Sequence, residues 1–129
     1  MRHRQRVLDE ARRLADGTGA KLTVLHDPRS AVVGGDAVYA DVWASMGEES
    51  ERETRKCALA PFQVTEELMA LAKPTAIFLH CLPAKRGEEV AAAVIDGPQS
   101  VVWQQSANRL PTEQALLLAL TRGLERNRS

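Results

Sequence analysis

No run of residues is apolar for the roughly 20 positions that a helix needs to cross a bilayer, so no membrane span is expected. There is no charge surplus either: 17 Lys and Arg balance 17 Asp and Glu. General nucleic-acid binders carry a basic excess, because neutralising phosphates dominates their affinity; nucleic acid is not an expected partner. Cysteine is scarce, with only Cys57 and Cys81. Two such residues in different settings build no disulfide framework, and a reducing cytoplasm is the expected compartment. No Cys-x-x-Cys or His-x-x-x-His spacing occurs, so no metal site is expected. Arg2-His3-Arg4-Gln5-Arg6 is locally basic, but Asp9 and Glu10 follow at once and no small-residue cleavage site is evident. It reads as the exposed start of a helix, not as a targeting peptide. Repeats, low-complexity tracts and internal domain boundaries are lacking too, which leaves one domain over residues 1–129, with 44% hydrophobic residues to supply a core.

What is present alternates. Val7, Leu8, Ala11, Leu14 and Ala15 recur at helical spacing, predicting a helix from about Arg4 to Asp16, ended by Gly17 and Gly19. Lys21–Leu25 reads as a strand, and Asp27 as the cap of a short helix with Pro28 in its first position. Ala37–Val42 is the next expected strand. The charged stretch Glu48–Lys56 suits a solvated helix or a mobile loop, and Thr65 caps a helix to Leu71. Ile77–Leu79 is a buried strand, Gly87–Ala93 a weak helix, Ser100–Trp103 a strand and Thr112–Leu124 an apolar closing helix. Strands alternating with helices predict an α/β fold, a three-layer sandwich around a mostly parallel sheet.

Two of the expected strands run straight into polar loops. Ligands of open α/β sheets bind at the carboxyl ends of the strands, so Asp41–Gly47 and His80–Pro83 share the rim where function is sought. Leu82 precedes a proline and is expected to be extended, with its backbone groups free for a ligand. Cys81 suits a nucleophile, a proton donor or a metal ligand; the alternative is a buried structural cysteine. His80 and Cys81 are adjacent on a strand and point to opposite faces, which disfavours joint chelation. Asp41 offers a carboxylate for an ammonium, while Ser45 and the backbone around Gly47 offer donors for a carboxylate. Together they match the two charged ends of an α-amino acid, although both residues are also ordinary turn formers. Arg109, after the last expected strand, can reach over the rim to an oxyanion, or can be a plain surface arginine.

In this order and spacing, Asp41-Val42-Trp43-Ala44-Ser45-Met46-Gly47-Glu48, His80-Cys81-Leu82-Pro83-Ala84, Gly97-Pro98-Gln99-Ser100-Val101-Val102 and Ala107-Asn108-Arg109-Leu110 resemble the ornithine carbamoyltransferases. The likeness covers nearly the whole chain and is strongest from Gly35 to Leu120. It implies transfer of a carbamoyl group from carbamoyl phosphate to the δ-amine of L-ornithine, giving citrulline and phosphate with no metal or organic cofactor. It also implies that Asp41, Ser45 and Met46 hold the α-amino and α-carboxylate groups of ornithine. Cys81 would lie beside the reacting amine, Cys81 and Leu82 against the carbamoyl group, and Arg109 at the carbamoyl oxygen. His80 belongs to the signature without a ligand role.

The resemblance is to the carboxyl-terminal, ornithine-binding part alone, a truncated Rossmann-like domain. The Ser-x-Arg-Thr loop for carbamoyl phosphate and the His-Pro-x-Gln stretch of the family are not in the sequence. The domain's opening strand and the asparagine-bearing loop after it would lie before Met1. Ala107 stands where many relatives have Glu, and Gln104-Gln105 replaces an acidic pair. The expectation is a part of a transferase that is inactive alone, and that pairs with a second copy or with a companion chain supplying the rest. Alternatives are a non-catalytic amino-acid-binding module, a relic that folds poorly, and a carbamoyltransferase for another amine.

Overall fold

The computed structural model describes residues 2–43 and 52–126. The chain opens with α1 (Arg2–Thr18), whose end is marked by Gly19 in the left-handed region at φ 72°. A short α2 (Pro28–Val32) comes next, capped as expected: the Asp27 carboxylate accepts the N–H groups of Arg29 and Ser30. Then come β1 (Ala37–Ala40), α3 (Arg52–Leu59), a 3-10 turn at Ala60–Phe62, and α4 (Glu66–Met69), where Thr65 accepts the Leu68 N–H. β2 (Ile77–His80), α5 (Ala92–Ile95), α6 (Val102–Ala107) and α7 (Arg109–Arg126) complete the order. The architecture is mixed α/β around a two-stranded parallel sheet, in the register Ala37↔Ile77 to Ala40↔His80.

Three expected elements are absent, for related reasons. Residues 21–25 form no strand: they pair with none among the described residues, and Leu22, Val24 and Leu25 stay 43–52% exposed. A strand's polar backbone points sideways and needs a neighbour, however favourable its side chains. Ser100–Trp103 reduces to a single bridge, Phe78↔Ser100, before the chain coils into α6. Of the expected Gly87–Ala93 helix only Ala92 and Ala93 are helical, at the start of α5: Gly87 takes φ 83°, and Val90 bridges Val64 instead. The expected Ala37–Val42 strand stops at Ala40, and the helix expected to reach Leu71 stops at Met69. The closing helix begins earlier than expected, at Arg109.

The core is small and lies between β2 and the helices flanking it. Phe78, Val90 and Val102 are fully buried, with Val38, Val64, Leu68, Met69, Val94 and Ile95 around them. None of its members among the described residues comes from α1 or α7. Alternation along β2 divides its side chains: Phe78 and His80 turn inward, whereas Ile77 is exposed.

Candidate functional site

Parallel pairing in register places Ala40 beside His80, so the next residues, Asp41 and Cys81, emerge together from the carboxyl end of the sheet. The Cys81 thiol donates to Asp41 Oδ1 at 3.0 Å, and the same oxygen accepts the Val42 N–H at 2.8 Å. These two donors, the thiol first, hold the Asp41 carboxyl below the usual carboxylate range. The reciprocal effect pushes the Cys81 thiol up, through its bond to Asp41 first and desolvation second. Cys81 is therefore an exposed thiol held in its protonated form. Nucleophile and metal-ligand roles both need the thiolate, so this geometry favours the remaining role, a donor oriented by a carboxylate.

The backbone beyond Cys81 departs from expectation. Leu82 is left-handed at φ 54°, followed by a cis bond to Pro83, and its N–H donates to His80 Nδ1 at 2.9 Å. The expected extended residue with both backbone groups free is thus corrected: an inward-facing imidazole supplies an acceptor two residues back, and the chain folds tightly to meet it. Holding a branched residue there costs on the order of 1–3 kcal/mol, and such strain persists only where the surroundings over-determine it. The surroundings are a buried pair. His80 and Glu89 are each 1% exposed, with Nε2 3.3 Å from Oε1, and Glu89 Oε1 accepts the Lys85 N–H. Because Nδ1 accepts the Leu82 N–H, the ring proton resides on Nε2, which lies near the Glu89 carboxylate without a hydrogen bond to it. His80 points into the protein and Cys81 to its surface, as strand alternation requires.

A cavity of about 460 Å³ opens beside the thiol, lined by Cys81, Leu82, Pro83, Ala84, Arg86, Ile95, Trp103, Ser106 and Arg109. Cys81, Leu82 and Arg109 thus share one pocket, while Asp41 meets it only through the thiol. The Arg109 side chain is 71% exposed and rests 3.6 Å from Glu113 one turn on, a loose surface pair that leaves it free to swing. Ser45 and Met46 lie outside the described residues. Sequence reasoning passed over Trp103 and Ser106, although with Arg109 they recur every three residues; reading Ser100–Trp103 as a strand concealed that helical spacing. It also passed over Arg86, whose two-pronged pair with Asp96, at 2.8 and 2.7 Å, braces the pocket wall. Among the described residues no cluster of three or more His, Cys, Asp or Glu could hold a metal, and no helix is long and apolar enough to cross a membrane.

Comparison with known proteins now decides the family. Residues 1–120 match the Asp/Orn binding domain of aspartate/ornithine carbamoyltransferase. The chain belongs to that family. The ornithine carbamoyltransferase of Geobacillus stearothermophilus is 51% identical over 117 residues, covering 91% of this chain and 38% of that protein. The solved ornithine carbamoyltransferase of Pyrococcus furiosus superposes with a TM-score of 0.82 at 50% identity, over 88% of this chain and 36% of that one. An N-acetyl-L-ornithine transcarbamylase structure superposes at 0.76 with 34% identity, over 90% and 36% of the two chains. The chain therefore spans little more than a third of the carbamoyltransferases it matches.

Proposed function

We propose that this chain is the ornithine-binding part of an ornithine carbamoyltransferase, a single partial domain over residues 1–129 that does not make citrulline alone. We read its two-stranded sheet as the centre of a three-layer, Rossmann-like sandwich. The observation that carries the functional reading is the Cys81 thiol, bound to the Asp41 carboxylate, at the mouth of a pocket that Arg109 also lines.

On this reading Asp41, anionic at neutral pH, takes the ammonium of the amino acid together with Ser45 and Met46. The thiol, fixed by that same carboxylate, borders the δ-amine. With its N–H engaged by His80, Leu82 offers only a carbonyl, which suits the N–H groups of a carbamoyl amide. The amine nitrogen forms the new C–N bond and gives up a proton, and phosphate departs with the electrons of the C–O bond. Negative charge gathers on the carbamoyl oxygen meanwhile, and Arg109 is the donor able to swing to it. In the complete enzyme Arg109→Ala is expected to lower the rate about 10²–10³-fold, the usual cost of one preorganised donor; full activity in that variant removes the assigned role. No cofactor is required for this chemistry.

Inactivity of the chain alone follows from catalysis by positioning: holding one reactant forfeits the advantage of holding two. Calorimetry with L-ornithine is expected to give saturable heat that Asp41→Ala abolishes; no saturable heat from the parent chain overturns the reading. Citrulline formation by the pure chain at the rate of complete relatives overturns its inactivity. A relative acting on an acetylated ornithine shares the fold, so an acceptor panel on the enzyme reconstituted with a carbamoyl-phosphate domain decides the amine. The exposed residues of 21–25 and of α7 fit a chain that associates, with a second copy or with a companion supplying the remaining part. Sedimentation as a monomer at high concentration counts against this.

A further inference from the structure

The two edges of β2 are satisfied in different ways. Ile77 donates its N–H to the Asp36 carbonyl, toward β1. Phe78 faces the opposite side, donating to the Gln99 carbonyl at 2.8 Å and accepting the Val101 N–H at 3.0 Å. One step further along that ladder, His80 N–H would meet the Val101 carbonyl. That carbonyl is instead directed into α6, which begins there: Val101 accepts the Gln105 N–H at 2.9 Å. The Gln105 side chain fills the gap: its Oε1 accepts the His80 N–H at 3.0 Å. A backbone N–H can only donate, so the oxygen end of the amide must face it. Nε2 is thereby turned outward and donates to the Tyr39 hydroxyl on β1, 3.1 Å away.

We propose that Gln105 is a positioning residue whose side-chain amide replaces the carbonyl of a third strand, locking the ends of β1, β2 and α6 together beneath the Asp41–Cys81 pair. The inference builds on the ornithine-site function proposed for this rim. Tyr39 precedes Asp41 by two residues, His80 immediately precedes Cys81, and Gln105 lies between Trp103 and Ser106 on the helix that leads to Arg109. The substitution of side chain for strand lets α6 start at Val102. Were a backbone carbonyl to serve His80 instead, the helix would have to start later, and Trp103, Ser106 and Arg109 would turn away from the pocket.

The test uses the full chain carrying Cys57→Ser, so that only Cys81 reacts. Iodoacetamide alkylation is followed against pH, and amide hydrogen exchange is followed by NMR. Gln105→Leu keeps bulk but removes the acceptor; it is expected to shift the alkylation midpoint to lower pH, speed alkylation several-fold at mildly alkaline pH, and speed exchange of the His80 amide at least tenfold. Gln105→Glu keeps an acceptor oxygen and is expected to restore the parent profile. A folded Gln105→Leu chain with the parent's profile and exchange rates overturns the proposal. Should that variant fail to fold, the parent decides: His80 must exchange at least tenfold more slowly than Cys81, and equal rates overturn the proposal. Failure of the parent to bind L-ornithine sinks the functional reading and leaves these measurements to judge Gln105 by themselves.

Discussion

The middle of this molecule and its two long helices obey different rules. Between Val38 and Val102 the elements are short, four to six residues in β1, β2, α4, α5 and α6, yet they enclose the whole buried core. α1 and α7 run to 17 and 18 residues, and none of the core residues described lies on them: Val7 and Leu14 are 58% and 55% exposed, and Leu116 and Leu117 58% and 63%. Length is therefore no guide to where the stability lies. A helix closes its hydrogen bonds within itself and persists on local preference, helped on α1 by Glu10–Arg13 contacts. A short strand exists only by virtue of what lies against it.

The sharpest way to break this contrast is to delete a side chain from the centre. Phe78 is fully buried on β2. Phe78→Ala is expected to cost about 3–5 kcal/mol in urea unfolding, from lost burial and the cavity left behind. A loss below about 0.5 kcal/mol, the range of ordinary surface substitutions, would mean that the centre is not the stabilising unit.

Glycines probe the same difference with added atoms. A Cβ on Gly97 would sit 2.3 Å from the Ala93 carbonyl oxygen, part of the α5 backbone, whereas one on Gly17 in α1 meets nothing within 4 Å. Gly97→Ala is expected to destabilise by about 1–3 kcal/mol through overpacking. Gly17→Ala is expected to stabilise α1 by about 0.5–1 kcal/mol through lower chain entropy. Because α1 lies outside the core, that gain is expected in slower amide exchange along α1 and not in the urea midpoint. Equal effects of both substitutions on the midpoint would erase the distinction.

This division also explains what could be read from the sequence. Helical periodicity located α1, strong apolar content located α7, and cap chemistry located α2 and α4 through Asp27 and Thr65, because those signals are local. Ala37–Ala40 and Ile77–His80 were legible as apolar runs before polar loops, and both found partners. Residues 21–25 carry an equally good pattern and have none among the described residues, a fact no window of sequence contains. The site divides likewise. Adjacency of Asp41 and Cys81 follows from parallel register, which strand order suggests. Leu82's left-handed turn depends on where the His80 ring points, and Gln105's role depends on a carbonyl lost to α6; neither leaves a mark in residue spacing.

Smaller effects are expected at the rim. Asp41 is held low, so its contribution is present above the ordinary carboxylate value and is lost as pH falls through the depressed one. Cys81 is held high, so its contribution is present below the ordinary thiol value and is lost as pH rises through the raised one. The pair thus stabilises the fold across the neutral range and fades at both ends. Asp41→Asn removes the carboxylate that shifts the thiol, and the stability gap between parent and variant is expected to be widest near neutrality and to narrow in acid and in alkali. A gap independent of pH would show that the contact at 3.0 Å does not couple the two groups.

Least of all is expected from α7. Leu117 is 63% exposed, and its neighbours Leu116, Leu118 and Leu120 are 52–58% exposed, so apolar side chains lie around much of the helix without being covered by the described residues. Leu117→Ala is expected to change the urea midpoint by no more than about 0.5 kcal/mol, as for surface substitutions away from special contacts. The informative comparison is between dilute and concentrated protein. If the helix stays solvated, the small effect is the same at both. If α7 is covered by a second copy, the cost of Leu117→Ala grows with concentration, because association stabilises by mass action and the variant forfeits part of it. A large loss that is independent of concentration would instead mean that α7 packs within its own chain, and the contrast between the centre and its long helices would fall with it.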